Sequence, residues 1–372
     1  MRTSICDQFG VEFPIFAFSH CRDVVAAVTN AGGFGVLGAT AYSPQQLDVE
    51  LSQIEAEVRG RPYGLDVLIP AKLIRPRSGG GMSELESLIP EEHQAFVDDL
   101  LVRYDVPPLP EGEVVTLGGT YNPRKLLDVA FAHDIKLIAN ALGPAPEYLV
   151  HRAHEHGVTV AALVGKREHA QAQMAAGVDV MIAQGYEAGG HTGDIATLVL
   201  VPEIVDAVAP TPVLAAGGIG RGRQMAAAMA LGAQGVWCGS VWLTSEEAET
   251  HPVVKDKMLA STSSDTVRSR STTGKPARQL RSAWTDEWDG PASPDPLGMP
   301  LQSILINEAQ ERIKRSAASS PGATQLINYF VGQIVGQMNQ VKPARRIVLE
   351  MVEEYIDVIS GLSKGLQESV EP

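Results

Sequence analysis

The chain has 372 residues, of which 44% are hydrophobic and 20% charged, a composition typical of a globular protein with a large core. Its formal net charge of −14 argues against nucleic acid as a partner, because phosphate backbones are bound by basic surfaces. No run approaches the roughly 20 apolar residues of a membrane span, and the opening "MRTSICDQFG" lacks the apolar core of a signal peptide. Three cysteines at unrelated spacings favour reduced thiols in the cytoplasm over disulfides or a zinc site.

Short apolar runs alternate with helix-like segments over the first two thirds of the chain. The runs are almost continuously apolar, which suits parallel strands that are covered on both faces. Eight such units in succession predict a TIM (β/α)8 barrel, with an open doubly wound sheet as the alternative. The predicted strands are residues 14–20, 33–39, 63–69, 135–142, 158–164, 179–185, 211–218 and 234–243. Predicted helices include 22–32, 43–58, 166–177 and 221–232, several of which end in glycine.

Two regions depart from the β/α alternation. Residues 70–120 are rich in Pro, Gly and acidic residues and lengthen the connection after the third strand, either as a substrate-facing lid or as a disordered surface loop. After residue 260 the alternation stops. We therefore predict a barrel over 1–260, and an extended segment with C-terminal helices packed on that barrel over 261–372. The apolar stretch "YFVGQIVGQMNQV" packs on the barrel or forms an interface in a homo-oligomer.

Two motifs resemble ligand sites but lack the sequence context that such sites need. "GFGVLG" (33–38) matches the dinucleotide pattern GxGxxG, but its glycines fall inside a predicted strand rather than between a strand and a helix. "HRAHEHG" (151–157) has three histidines with no downstream partner to complete a metal shell. No metal site is predicted.

Two glycine-rich turns fall where barrels commonly hold phosphate groups, after the seventh and eighth strands. "AAGGIGRG" (215–222) lets the N–H groups of Gly217, Gly218 and Gly220 face an anion, since a side chain at these positions would hold a phosphate away. "CGS" (238–240) adds Gly239 and the hydroxyl of Ser240. The sequence therefore predicts a phosphate-binding site at these two strand ends.

The stretch "DVMIAQGYEAGGHTGD" (179–194) ends the sixth strand. With the phosphate at strands seven and eight, a flavin ring extends over the barrel mouth toward Gln184, whose amide both donates and accepts hydrogen bonds. Gly189 and Gly190 would let the loop approach a flat cofactor. His191 would then lie over its reactive face, where an imidazole can take a proton from carbon or stabilise an anion. The alternative is a purely structural loop histidine.

These residues resemble the FMN-dependent nitronate monooxygenases, formerly called 2-nitropropane dioxygenases. The resemblance rests on "PIFAFSH", "NAGGFGVLGA", "AGVDVMIAQGYEAGGHTG", "PVLAAGGIGRGRQMAAAMALGAQGVWCGSVWLTSEEA" and "TGKPARQLRSAW". It implies a barrel that binds FMN, with His191 as the catalytic histidine, and oxidation of alkyl nitronates by O2 to a carbonyl compound and nitrite. The residues it implies at the flavin are Ala17, Phe18, Ser19, Asp66, Gln184, Gly189, Gly190, Gly217, Gly218, Gly220, Gly239 and Ser240.

The chain departs from the family pattern near the flavin. Ala17-Phe18-Ser19-His20 replaces a "QAPM"-like strand end, and Asp66 stands where an Asn is usual. His20 is either a second active-site imidazole that meets the substrate or a polar residue of the rim. Two other functions stay open: an NAD(P)H-dependent FMN reductase of a quinone or an enoyl thioester, and a non-catalytic flavin-binding barrel.

Overall fold

A computed structural model describes residues 1–69, 82–113, 115, 122–141 and 143–370, and the structural statements below refer to these residues. Eight parallel strands close into a barrel in the order β1-β2-β3-β4-β5-β6-β8-β9. Their bounds are β1 Ile15–Ser19, β2 Phe34–Gly38, β3 Gly64–Leu68, β4 Leu137–Ala141, β5 Thr159–Val164, β6 Val180–Gln184, β8 Val213–Ala216 and β9 Gly235–Cys238. The predicted TIM barrel and all eight of its strands are confirmed, and the open sheet is wrong because β9 pairs with β1.

Fifteen α-helices occur in the described residues, and those between barrel strands cover the outside of the barrel. They are α1 Ser4–Phe9, α2 Arg22–Asn30, α3 Pro44–Val58, α4 Met82–Glu86, α5 Glu91–Arg103, α6 Pro123–Ala130, α7 Glu147–Glu155, α8 Arg167–Ala175, α9 Thr197–Val208, α10 Gly222–Ala230, α11 Pro252–Ala260, α12 Ala283–Trp288, α13 Leu301–Ser316, α14 Pro321–Leu326 and α15 Ala344–Val370. Within the described residues, no helix is both long enough and apolar enough to cross a bilayer.

Local sequence signals account for these boundaries. Ser43 caps α3 by accepting a hydrogen bond from the Gln46 N–H, and the Gln46 Oε1 accepts one from the Ser43 N–H. In "GFGVLG", a Cβ at Gly35 would lie 2.4 Å from the Val25 carbonyl oxygen of α2. That glycine therefore allows α2 to pack on β2, the strand in which the motif lies.

Alternate residues of each barrel strand face opposite sides. Phe16 and Trp237 belong to an inner cluster that fills the barrel. Ala17, Leu65 and Val67 belong to an outer cluster between the barrel and its helices. This alternation decides which predicted site residues can present a side chain at the mouth.

Part of the predicted insertion is ordered. Helix α5 buries Val97 and Leu101 in a second hydrophobic cluster, together with Trp284 of α12 and Ile313 of α13. For residues 91–103 the disordered-loop alternative is therefore wrong. Residues 70–81, 114 and 116–120 of the insertion lie outside the described residues, so the lid stays a prediction.

The chain after residue 260 returns to the barrel mouth. Strands β10 (Thr266–Ser269) and β11 (Ala277–Leu280) form an antiparallel sheet with β7 (Gly190–His191), in the order β10-β11-β7. The sequence predicts the extended segment but not this pairing. Farther on, α15 packs against α10 and contributes Val348 and Met351 to the outer core of the barrel. The division of the chain at residue 260 stays a prediction.

The contact between α10 and α15 gives a stability test. A Cβ at Gly222 would lie 2.1 Å from the Met351 carbonyl oxygen and 2.4 Å from the Tyr355 nitrogen, so Gly222→Ala must push α15 outward. We expect it to lower the free energy of unfolding by about 1–3 kcal/mol in urea denaturation. Gly361→Ala is the matched control, because no heavy atom lies within 4 Å of its Cβ position, and we expect it to stabilise α15 by up to about 1 kcal/mol. Equal effects of the two substitutions would contradict this packing.

Candidate active site

Four backbone N–H groups at the ends of β8 and β9 have no acceptor among the described residues. They belong to Gly217, Gly218, Gly239 and Ser240. Gly217 and Gly218 have φ of 106° and 67°, a backbone conformation that favours glycine. The Ser240 hydroxyl accepts a hydrogen bond from the Gly332 N–H at 2.8 Å, which leaves its own proton available. These neighbouring donors fit an anion such as the phosphate of a flavin nucleotide.

Gly220 does not join this group. Its N–H donates to the Gln224 Oε1 at 2.9 Å, and a Cβ here would lie 2.8 Å from the Ile334 side chain. The expectation that Gly220 offers its N–H to a phosphate is therefore wrong. Its small size instead allows the segment around Ile334 to pack on the turn.

Side chains that face the barrel lumen form the floor of the mouth. Phe18 stacks on Trp237 with ring centroids 6.3 Å apart. Gln184 follows Val180 and Ile182 on the lumen face of β6, and its side chain has no partner among the described residues. The floor is therefore flat and mainly apolar, with an amide at one edge, which suits an aromatic ring system with polar atoms at its rim.

Asp66 is the unusual member of this floor. It alternates with the outward-facing Leu65 and Val67, so its carboxyl faces the lumen, and it is only 6% exposed. Burial raises the pKa of Asp66 to about 8, because an ionised carboxylate loses its hydration there. No hydrogen bond or ion pair to it occurs within the described part of the chain. The carboxyl is therefore mostly neutral at pH 7.

His191 lies beside the mouth on β7. Its Nδ1 is 3.4 Å from the Pro276 carbonyl oxygen, and since a carbonyl only accepts, this contact assigns the proton to Nδ1. Burial lowers the pKa of His191 from its usual 6.5, and the positive charge of Lys275 lowers it further. The ring is therefore neutral at pH 7, with Nε2 free to accept a proton.

Most glycines of the histidine loop are required by neighbouring protein atoms. A Cβ at Gly185 would lie 2.1 Å from the Thr197 hydroxyl, and one at Gly189 would lie 2.8 Å from the Gly332 nitrogen. The predicted reason for Gly189, approach to a flat cofactor, is therefore wrong. Gly190 is consistent with the approach of the loop to a flat cofactor, because it has φ of 74° and no heavy atom lies within 4 Å of its Cβ position.

Two arginines of the C-terminal sheet fasten the loop. Arg278 is 2% exposed, donates from Nε to the Tyr186 carbonyl at 3.2 Å, and stacks on the Tyr186 ring at 4.4 Å. Arg268 stacks on the same ring at 5.0 Å and donates to the Thr192 carbonyl at 3.2 Å. The arginines hold the loop on both sides of His191, and the sequence analysis assigned them no role.

The end of β1 supplies the rim. Ala17 is buried in the outer core, so only its backbone can reach a ligand in the mouth. Ser19 Oγ accepts a hydrogen bond from the Cys21 N–H at 3.1 Å. The Nδ1 of His20 donates to the Gly38 carbonyl at 3.1 Å, its ring meets Phe18 edge-on at 5.1 Å, and burial lowers its pKa. His20 thus lies at the mouth as a neutral ring.

The segment 328–337 completes the surroundings of the loop, and sequence reasoning placed it only on the barrel or at an interface. Its Val331 and Ile334 are buried in the second cluster, which confirms packing within the chain. Phe330 lies with its ring centroid 6.4 Å from that of His191. An apolar wall therefore stands beside the histidine.

Other clusters do not extend the site. Of the histidines in "HRAHEHG", His151 pairs with Glu155 and His154 pairs with Asp179, while His156 donates to the Arg152 carbonyl. Within the described residues, no group of three potential ligands is placed to hold a metal ion. A cavity of about 320 Å³ lies between α9 and α10 and adjoins Gly217 and Gly218, and its lining mixes apolar side chains such as Val201 with polar ones such as Glu187.

Comparisons with known proteins show to which family the chain belongs. The family described as nitronate monooxygenase matches residues 3–354. The chain is 63% identical to "Putative monooxygenase Rv1533" of Mycobacterium tuberculosis, over 99% of this chain and all of that protein. It is 25% identical to the nitroalkane oxidase structure from Streptomyces ansochromogenes, with a TM-score of 0.80 over 97% of this chain and 100% of that one. The FabK structure from Thermotoga maritima is 26% identical, with a TM-score of 0.73 over 98% and 99% of the two chains.

The barrel and its mouth define a flavin-dependent oxidoreductase that acts on small molecules. The chain belongs to the nitronate monooxygenase family.

The contacts of Arg278 with the histidine loop predict that its substitution loosens this loop. Arg278→Met removes two hydrogen bonds and the stacked cation, so we expect faster amide hydrogen exchange over residues 186–195 and a loss of about 1–3 kcal/mol in unfolding free energy. Arg281→Met is the control, because Arg281 forms only a surface ion pair with Asp286 and should change stability by about 0.5 kcal/mol or less. Unchanged amide hydrogen exchange over residues 186–195 in Arg278→Met would contradict the role of Arg278 in holding the loop.

Proposed function

We propose that the protein binds FMN and oxidises alkyl nitronates with O2 to a carbonyl compound and nitrite. The observation that carries the proposal is a neutral His191 held beside a flat apolar floor, next to four free N–H groups at adjacent strand ends. Membership of the nitronate monooxygenase family and the similarity to a nitroalkane oxidase support it.

The site fits FMN in two respects. The phosphate would lie on the N–H groups of Gly217, Gly218, Gly239 and Ser240, where it supplies the acceptors that these donors lack. The ring would cover the lumen face, with the partnerless Gln184 and Asp66 at its polar edge and Phe18 below it, and with Gly190 and the β1 end near it. Bound FMN would supply the electron-accepting ring, which no side chain of the protein provides.

His191 would act on the substrate in two ways. A nitronate is already an anion, so His191 and the loop N–H groups would orient it and stabilise its charge. A neutral nitroalkane must first lose an α-proton, and the free Nε2 of His191 would accept it. His20, on the opposite rim, would contact the substrate.

This role predicts a pH dependence that differs between the two substrates. Proton abstraction needs the neutral imidazole, and burial lowers the pKa of His191 below 6.5. We therefore expect kcat/KM for a neutral nitroalkane to rise with pH, with its midpoint below 6.5, and to level off above it. His191→Asn should lower this kcat/KM by about 10²–10⁴-fold and lower nitronate oxidation much less.

His151→Asn is the control, because His151 is exposed on α7 and paired with Glu155. It should leave both rates unchanged. Equal losses for the nitroalkane and the nitronate in His191→Asn would contradict a proton-abstracting role, and unchanged turnover would remove His191 from the mechanism.

Anaerobic mixing separates this function from the reductase alternative. We expect a nitronate to bleach the visible absorbance of the flavin-loaded protein, and NADH or NADPH to leave it unchanged over the same time. Rapid bleaching by a reduced nicotinamide nucleotide alone would favour the reductase. Bleaching by neither would favour a non-catalytic flavin-binding barrel.

A further inference from the structure

Asp66 is a buried acid that has no partner among the described residues. The residues paired with it on the neighbouring strands are Gly38 and Ala139, neither of which has a polar side chain. Among the described residues, no cation, hydroxyl or amide contacts its carboxyl, which is 6% exposed. An ionised carboxylate in this position would have little hydration and, among the described residues, no counter-ion, which is a costly arrangement.

Among the described residues, the charged groups on the elements packed around β3 do not reach this carboxyl. The short 3-10 turn after β2, Ala39–Ala41, has no titratable residue. On α6, Arg124, Lys125 and Asp128 are exposed on the outside of the barrel. His20 lies on the same lumen face as Asp66, since its ring occupies the space of a Cβ at Gly38, and burial keeps this ring neutral by lowering its pKa. Among the described residues, burial is therefore the one influence that raises the pKa of Asp66.

A protonated carboxyl has a donor as well as an acceptor, as an amide does. Leaving that donor unpaired in the lumen costs about 1–3 kcal/mol. A ligand that enters the mouth with an acceptor atom removes this cost. The isoalloxazine ring of a flavin has such acceptors at its carbonyl oxygens and ring nitrogens, and the phosphate-site N–H groups would direct it to this floor.

We propose that Asp66 binds the flavin as a neutral acid, donating a hydrogen bond to an acceptor on the ring, and that ionisation of Asp66 weakens flavin binding. This inference rests on one part of the proposed function, the position of the FMN ring over the mouth. It predicts a pH dependence of flavin binding that an asparagine would not reproduce, because only the acid loses its donor as pH rises.

The direction of the pH dependence of flavin binding follows from the direction in which burial shifts the pKa of Asp66. Burial raises the pKa of Asp66 to about 8, so the donor is present at pH 7 and is lost above pH 8. One proton is linked to binding, so the Kd for FMN should rise by about tenfold per pH unit above that point.

The test is a titration of the full-length apoprotein with FMN, followed by flavin fluorescence, from about pH 7 to about pH 9.5, on either side of the shifted carboxyl pKa. We expect the wild type to show the rise in Kd and Asp66→Asn to bind FMN with a Kd that does not change with pH. Asp128→Asn, which removes an exposed carboxylate of α6, should keep the wild-type slope. A flat wild-type profile, or the same slope in Asp66→Asn, would overturn the proposal.

Infrared spectroscopy gives a second measurement that needs no turnover. The flavin-loaded wild type at neutral pH should show the C=O band of a protonated carboxylic acid, and Asp66→Asn should lack it. Absence of that band in the wild type would overturn the proposal.

A pH-dependent Kd without nitronate oxidation would refute the proposed substrate alone. FMN binding that is independent of pH, with nitronate oxidation intact, would refute only the role of Asp66.

Discussion

The antiparallel pairing of β7 with β11 fixes the candidate base in space. His191 lies opposite Ala277, and Gly190 lies opposite Arg278, so two residues of a glycine-rich loop become part of a three-stranded sheet. The free energy of this pairing comes from the C-terminal third of the chain, through the buried Arg278 and the hydrophobic cluster behind it. The barrel supplies the floor and the turns that are proposed to bind phosphate. The segment after residue 260 positions the histidine over them.

Burial, rather than fixed charge, sets the chemistry of the mouth. It keeps His191 and His20 neutral and Asp66 protonated at pH 7, so in the proposed mechanism His191 acts as an imidazole base and Asp66 as a carboxylic acid. At the proposed phosphate site, backbone N–H groups at Gly217 and Ser240 take the place that cationic side chains occupy in many phosphate sites. Such a site binds anions through fixed dipoles, which require no reorganisation when the ligand enters.

Sequence patterns predicted the parts that depend on neighbours in the chain. Eight apolar runs predicted eight strands, and the glycines after β8 and β9 predicted two turns whose N–H groups are proposed to bind an anion. The failures came from contacts between distant segments. Gly189 is small because Val331 and Gly332 pass over it, and Gly220 is small because Ile334 does. Nothing in the local pattern separates a glycine that clears space for a ligand from one that clears space for another part of the chain.

The most direct test of this account is amide hydrogen exchange of the wild type with and without FMN. The account predicts protection at the ends of β8 and β9 and along the loop from Gln184 to His191, where the phosphate and the ring would lie. Protection confined to the groove between α9 and α10, or no change at these strand ends, would contradict it.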